Sequence, residues 1–288
     1  MNPLEKGIAV VGSTTIDEIV ADGRSVFKLG GVTTYSGLTY RRHGINTLVV
    51  SNVAKQDLAI LNKLGAENII VCRGESGTTT RFVNRVAGDS RSQKLQQQAV
   101  PIKSAQIREI LDQVDSLHLG PLYPQDIDWE AAKLLQNSNR MIFLDVQGLT
   151  RIKKNRQIYT AVSDHLENAL DIAHIAKAND AEYRALLDYY HVRPHELLRR
   201  FNLSEMVVTL GKKGGFVENH SGVKYFYQTP KIESPSDPTG AGDVFFAAYL
   251  VARHADKKDI ADACRYAARI AAQQVEGKYL SADTLCLG

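Results

Sequence analysis

The chain has 288 residues, 44% of them hydrophobic and 23% charged, the balance of a globular domain, which excludes wholesale disorder. Lys plus Arg is 35 and Asp plus Glu is 32, and the resulting net charge of +3 is too small to argue for a nucleic-acid or membrane partner. The longest apolar run, Val244 to Ala252, is far short of the roughly 20 residues a membrane-spanning helix needs, and Ile8–Val11 is too brief for a signal peptide.

In chain order, short apolar runs predict strands at Ile8–Val11, Thr47–Ser51, Asn68–Cys72, Ser116–Leu119, Met141–Val146, Ile172–Ala176, Met206–Leu210 and Gly215–Glu218. Amphipathic stretches at Thr34–His43, Asp57–Leu64, Ala105–Gln113, Trp129–Gln136 and Ala181–Tyr189 predict helices between them. This alternation implies an α/β fold with a mostly parallel sheet and helices on both faces. Ligands of such sheets bind beyond the carboxyl ends of the strands. No repeat or Pro-rich linker divides the chain, so a single core over 1–288 is expected.

Two segments break the rhythm. Thr78–Gln98 is polar, carries Gly88-Asp89 as a turn signal, and reads as a hairpin outside the main sheet, part of a small lid. Arg151–Arg156 has four basic residues in six and reads as a solvated surface loop. Cys72, Cys264 and Cys286 form no C-x-x-C and read as reduced thiols of a cytoplasmic protein.

The chemistry concentrates in Asp237-Pro-Thr-Gly-Ala-Gly-Asp243. Pro238 disfavours helix at Asp237, and the glycines permit unusual dihedrals before an unbroken apolar helix pattern. A small-residue turn entering a buried helix presents unpaired N–H groups, and with the helix dipole these make an anion site at Gly240, Ala241 and Gly242. Asp243 falls in the first helical turn. A carboxylate beside a phosphate is unfavourable unless it accepts the proton of an attacking hydroxyl. An Asp there is also stabilised by the helix dipole alone; the two glycines and Asp237 tip the reading towards catalysis. The alternatives lack their motifs: there is no G-x-x-x-x-G-K-[ST], Phe245 stands where a dinucleotide fingerprint needs Gly or Ala, and H-E-x-x-H and G-x-S-x-G are absent.

Asp237–Asp243 resembles the C-terminal signature of the ribokinase-like (PfkB) carbohydrate kinases, with Pro238 in place of the more frequent Thr. Other stretches fall in the family's order. Val10-Val11-Gly12-Ser13 with Asp17 resembles the first strand and its sugar-binding Asp. Gly30-Gly31 resembles the glycine pair opening the substrate-side helix, and Asn179-Asp-Ala-Glu182 the N-x-x-E motif of magnesium and phosphate. Val208-Thr209-Leu-Gly211-Lys-Lys-Gly214-Gly215 resembles the strand and loop that hold the nucleotide. Asn179 and Glu182 also suit a helix cap, and Gly211 and Gly214 an ordinary turn.

The resemblance implies a three-layer α/β/α sandwich with a small β lid from about 13–30 and 78–98. It implies an ATP-dependent kinase transferring a phosphoryl group to a hydroxyl of a sugar or polyol. Asp243 would be the base and Gly240, Ala241 and Gly242 the anion hole. Asp17, Gly30 and Gly31 would bind the acceptor, Asn179, Thr209, Gly211 and Gly214 the nucleotide, and Glu182 and Asp237 would face Mg²⁺. A monovalent-cation requirement stays open, and lids that pair across subunits would allow a homodimer. Where family members often have Asn, this chain has Tyr35, which argues against ribose. Asp145-Val-Gln147-Gly148-Leu-Thr-Arg151 resembles a run of inositol-kinase-like members, in which Asp145 and Gln147 would meet a polyol and Arg151 an anion. Two alternatives remain: a nucleoside acceptor, for which Tyr35 offers an aromatic face, and a non-catalytic metabolite-binding regulator of the same fold.

Overall fold

In the computed structural model, residues 2–21, 24–87, 90–234 and 237–287 are described. The N-terminal part runs β1 (Ile8–Gly12), β2 (Thr15–Ala21), β3 (Arg24–Gly30), α1 (Val32–Arg42), β4 (Thr47–Ala54), α2 (Ala59–Ala66), β5 (Ile70–Ser76), β6 (Arg81–Ala87) and β7 (Ser90–Gln97). The middle adds α3 (Ser104–Arg108), β8 (Ser116–Gly120), α4 (Ala131–Gln136), β9 (Met141–Asp145), β10 (Arg151–Lys154), β11 (Gln157–Thr160), α5 (Leu166–Leu170), β12 (Ile175–Asn179) and α6 (Asp180–Tyr190). The chain closes with α7 (Pro194–Arg200), β13 (Glu205–Thr209), β14 (Gly215–Asn219), β15 (Lys224–Tyr227), α8 (Ala241–His254), α9 (Ile260–Val275) and α10 (Ala282–Leu285).

The larger sheet has the order β15-β14-β13-β12-β9-β8-β1-β4-β5. All its pairings are parallel except β13–β14 and β14–β15. Successive strand residues feed opposite faces, as the period of two requires. Ile8 and Val10 join a core with α1, α2, α8 and α9, whereas Ala9 and Val11 join a second core with α3 to α7. Near-continuous apolar strands such as Ile8–Val11 are what a sheet covered on both sides needs. The three-layer expectation holds.

The smaller sheet has the order β10-β11-β7-β6-β2-β3. The Thr78–Gln98 hairpin is present as β6 and β7, paired antiparallel, with its Gly88-Asp89 tip outside the described residues. Strands β2 and β3 supply the other expected lid segment. The basic run is a correction. Arg151–Arg156 is not a free surface loop: it opens a third hairpin, β10 with β11, which joins β7 through Gln157 opposite Lys94 and Arg156 O accepting from Leu95 N at 3.0 Å. Lys153, Lys154 and Arg156 are exposed, as a charged run should be, but strand alternation turns the Arg151 side chain inward.

Smaller departures follow local chemistry. Ile172 and Ala173 belong to the turn after α5, so the strand starts at Ile175. The stretch Ala105–Gln113 breaks after Arg108 into a short 3-10 turn at Leu111–Gln113. The helix begun at Trp129 starts at Ala131, after a turn whose Asp128 carbonyl accepts from Ala131 N.

Candidate active site

Parallel pairing places Asp145, Asn179 and Thr209 at the carboxyl ends of β9, β12 and β13, where Lys177 stands directly opposite Asp145 and Asn179 opposite Thr209. The N-terminus of α8 approaches the same end. Gly240, its N-cap, has φ 75°, a left-handed conformation that favours glycine. The Tyr35 ring of α1 fills the space a side chain would need there.

Within the signature turn, Ala241 N donates to Pro238 O at 3.2 Å, so this amide is taken up by the turn itself. The N–H groups of Gly240, Gly242 and Asp243 have no acceptor among the described residues. The unpaired amides are therefore those of Gly240, Gly242 and Asp243 rather than the expected run Gly240-Ala241-Gly242, because the i-to-i+3 turn closes on Ala241. Asp237 holds the turn from its other end. Its Oδ1 accepts from Thr239 N at 2.9 Å and its Oδ2 from Lys28 Nζ at 2.7 Å, tying lid strand β3 to the signature. Burial alone would raise the Asp237 carboxyl, but the bonds from Lys28 and Thr239 outweigh it and hold the group below its ordinary range. This geometry does not fit the metal role expected of Asp237: both oxygens are engaged, one by a cation.

Two cavities meet at the turn. One, of about 600 Å³, runs from Thr209, Gly211, Lys212 and Gly214 to Ala241 and Gly242. Its far wall is apolar, built from Tyr227, Phe245, Ala268, Ala271, Ala272 and Val275. The other, of about 370 Å³, lies beneath the lid and is lined by Asp17, Gly31, Tyr35, Gln147 and Asp243, with Phe82 from β6. Asp17 is buried on β2; its Oδ1 accepts from Thr15 Oγ1 at 2.6 Å, and a β-carbon at Gly30 would lie 2.5 Å from its Oδ2. The expected acceptor residues Asp17, Gly30, Gly31, Tyr35 and Gln147 are thus together, as are the expected nucleotide residues Thr209, Gly211 and Gly214.

Asp145 is not among the acceptor-cavity residues. Its side chain is fully buried, with Oδ2 accepting from Lys177 Nζ at 2.8 Å and Oδ1 from Gln147 N at 3.0 Å. The expectation that Asp145 meets a polyol is corrected: direct opposition to Lys177 across β9 and β12 consumes it. Lys177 itself lines the acceptor cavity, and its Nζ would lie 3.2 Å from a β-carbon at Gly242. Burial would lower the Lys177 amine, but the carboxylates of Asp145, Glu182 and Asp243 raise it and keep it charged. Motif reading missed Lys177. A lysine inside the strand Ile175–Ala178, buried on both faces, was the available signal, because such a charge demands a partner.

Asn179 and Glu182 form a capping box at the start of α6: Glu182 N donates to Asn179 Oδ1 at 2.9 Å, and Asn179 N to Glu182 Oε2 at 2.8 Å. They also line a third, polar cavity of about 410 Å³ with Arg151 and Thr150, so capping does not remove them from cavity space, but Asn179 is not among the residues lining the larger cavity with Thr209, Gly211 and Gly214. Burial raises the Glu182 carboxyl above its usual value. Mg²⁺ binds through one or two carboxylates together with substrate phosphates and water. A buried carboxylate at the edge of a polar cavity fits that pattern, although the described residues contain no cluster of three metal-ligating side chains.

Asp243 lines the acceptor cavity, and its carboxylate makes no hydrogen bond to the described residues. Burial pushes it up to about 7, Asp145 and Glu182 pushing further and Lys177 and Arg151 offsetting part. A carboxyl poised near neutrality beside free helix-terminal amides can take a proton from a hydroxyl while the amides hold an anion.

Known proteins share this arrangement of fold. A pyrophosphate-dependent kinase in the ribokinase family, complexed with a pyrophosphate analog and myo-inositol, is 22% identical with a TM-score of 0.81, over 93% of this chain and 94% of that one. Ribokinase from Thermotoga maritima is 19% identical with a TM-score of 0.75, over 96% and 97%. Adenosine kinase from Schistosoma mansoni, in complex with 2-fluoroadenosine, is 13% identical with a TM-score of 0.77, over 94% and 96%. No curated protein sequence matches the chain. At these identities the solved structures show the fold alone. The pfkB family carbohydrate kinases match residues 8–285, nearly the whole length, and the chain belongs to that family.

Proposed function

We propose that the protein is an ATP-dependent kinase that phosphorylates a hydroxyl of a sugar or polyol. The observation that carries this reading is the placement of Asp243: a carboxylate with no hydrogen bond among the described residues, raised to about 7, lining the acceptor cavity next to Gly242, which both cavities share. A protein that only bound metabolites would have no use for a destabilised acid there.

In the transfer, the donor's terminal P–O bond breaks as a bond forms from phosphorus to the acceptor oxygen. The hydroxyl proton passes to Asp243, and the nucleoside diphosphate leaves. The amides of Gly240, Gly242 and Asp243 supply donors for the oxygens of the moving group. Lys177, fixed by Asp145, adds positive charge beside Gly242. Glu182 would hold Mg²⁺ through water, and the ion would supply charge neutralisation across the phosphates. Asp17 and Gln147 would orient the acceptor hydroxyls. Closure of the lid strands over the acceptor cavity would exclude water and limit hydrolysis of the donor.

ATP is favoured as donor by the apolar end of the larger cavity, where Ala268, Ala271 and Ala272 leave a slot suited to a flat base. The test is a matrix of donors and acceptors followed by phosphate transfer. Donors are ATP and pyrophosphate, the latter because the inositol-bound relative is pyrophosphate-dependent. Acceptors are pentoses, hexoses, inositols and nucleosides, the last because Tyr35 and Phe82 are aromatic. Turnover with ATP and a sugar or cyclitol is expected. No transfer from either donor to any acceptor rejects the assignment.

A further inference from the structure

One short segment of the chain grips the signature turn at two points. At its start, Lys28 Nζ lies 2.7 Å from Asp237 Oδ2. At its end, the Tyr35 ring occupies the space beside Gly240. Between them β3 passes through Gly30 and Gly31 into α1, and Gly31 lines the acceptor cavity.

Strand register ties the start of this segment to the acceptor site. Across β2 and β3, Lys28 stands directly opposite Asp17, so the two side chains share one face of the ribbon. Asp17 lines the acceptor cavity. A β-carbon at Gly30 would lie 2.5 Å from Asp17 Oδ2 and 2.6 Å from Thr15 Oγ1, so the ribbon closes tightly around that carboxylate. From the same face, Lys28 reaches out of the ribbon to a residue 209 positions later.

Asp237 passes the hold on to the backbone. Its Oδ2 is anchored to the ribbon, while its Oδ1 accepts from Thr239 N at 2.9 Å. With Pro238 O accepting from Ala241 N at 3.2 Å, that bond folds the turn so that the amides of Gly240, Gly242 and Asp243 are left for an anion. The ion pair is partly shielded from water, with side-chain exposures of 22% and 24%, and a short charge-assisted bond is stronger than a neutral one. Lys28 is not among the residues lining the donor or the acceptor cavity, so any effect it has on the reaction passes through Asp237.

We propose that Lys28 is a positioning residue for phosphoryl transfer: from the ribbon that carries Asp17 it fixes Asp237, and through it the amides of the signature turn, so that an acceptor seated at Asp17 tightens the site for the donor. This rests on the kinase reading and deepens it, by naming the physical link between the acceptor and donor sites. Small displacements of groups that must align with a reacting phosphate cost turnover heavily.

The test uses the full chain with Lys28→Met, Lys28→Arg and Asp237→Asn, the last keeping an acceptor for Thr239 N without the charge. With the best acceptor, K28M is expected to lose about 10- to 100-fold in kcat while binding that acceptor alone within threefold of wild type. K28R should recover part of the loss, because it keeps the charge. The double variant K28M/D237N should be no worse than the poorer single variant, since both changes remove one contact. Binding gives a readout that a merely structural role would not move. Saturating acceptor should tighten a non-hydrolysable ATP analogue about fivefold or more in the wild type, and by a ratio of about one in K28M. Hydrogen exchange needs no substrate: the Thr239 amide should exchange about tenfold faster in K28M. The proposal is overturned by a K28M kcat within threefold of wild type, by losses that multiply in the double variant, by acceptor tightening the analogue equally in both proteins or in neither, or by equal exchange at Thr239. If the wild type transfers phosphate to nothing, the kinase reading fails by itself, and exchange at Thr239 still decides whether Lys28 holds the turn.

Discussion

The ring of Tyr35 lies so close to Gly240 that a β-carbon on Gly240 would sit 2.2 Å from ring carbon Cδ1. Two features of distant sequence thus depend on each other: an aromatic on the buried face of α1 and the left-handed glycine that starts α8. The tyrosine does structural work as well as lining the acceptor cavity. Its ring walls the turn on which the free amides depend.

Gly240→Ala is therefore expected to be worse than an ordinary glycine replacement. The left-handed φ of 75° costs an L-residue about 1–2 kcal/mol, and the ring contact adds to it. Urea denaturation should show a loss of at least that size, with turnover falling about tenfold or more as the amides shift. Adding Tyr35→Ala should relieve the clash but not the backbone strain, so the double variant should recover only in part.

Asp243→Asn is expected to lower kcat by about 100- to 10,000-fold while leaving ATP affinity within a few-fold, measured by steady-state kinetics and calorimetry.

The pH profile tests the same residue by its sign. A base must be ionised, and Asp243 is pushed up to about 7, so kcat/KM should fall about tenfold per pH unit below neutrality. Stability follows the opposite course. Between its ordinary value of 3.8 and about 7 the folded chain keeps the Asp243 proton while the unfolded chain has lost it, so this group opposes folding as pH rises through that window. Denaturation curves of the wild type and D243N across pH 4–8 should diverge, the variant gaining relative stability as pH increases.

The Lys177–Asp145 pair is buried at both ends, with side-chain exposures of 5% and 0%. Removing one partner leaves the other charged and alone, which costs about 3–5 kcal/mol for buried pairs. Lys177→Met should lose stability on that scale and lose turnover too, since Nζ lies beside Gly242. The double variant Lys177→Met/Asp145→Leu should be more stable than K177M alone yet remain impaired in turnover, which separates folding from phosphate binding.

Ala272→Phe fills the apolar end of the larger cavity without touching the acceptor side. The KM for ATP should rise about tenfold or more while acceptor KM stays unchanged. If pyrophosphate is a donor, its KM should be indifferent to this substitution.

Much of the main sheet and the signature turn was legible in the chain. Strand runs such as Ile8–Val11 and the Met-Ile-Phe-Leu stretch that opens Met141–Asp145 are too uniformly apolar for anything but a sheet buried on both faces, and the small-residue turn before Val244 marked a helix start with free amides. The capping box Asn179–Glu182 was visible as a pattern and is present. Less legible was everything set by cross-strand opposition. Asp145 looked like a sugar ligand because its partner Lys177, 32 residues later, is brought opposite it only by the register of β9 and β12. Asp237 looked like a metal ligand because Lys28 lies 209 residues away.

The amino-acid order by itself determined the layered α/β class and a helix start with free amides, and it pointed to Asp243 as the proposed base, because each rests on local periodicity, turn chemistry and one helix terminus. Tertiary structure alone decided which charges cancel and which stay available: Asp145 with Lys177, Asp237 with Lys28, and Arg151 turned inward at the head of a lid strand. Electrostatic pairing depends on distance through space, and pairing register and sheet order set that distance, not separation along the chain.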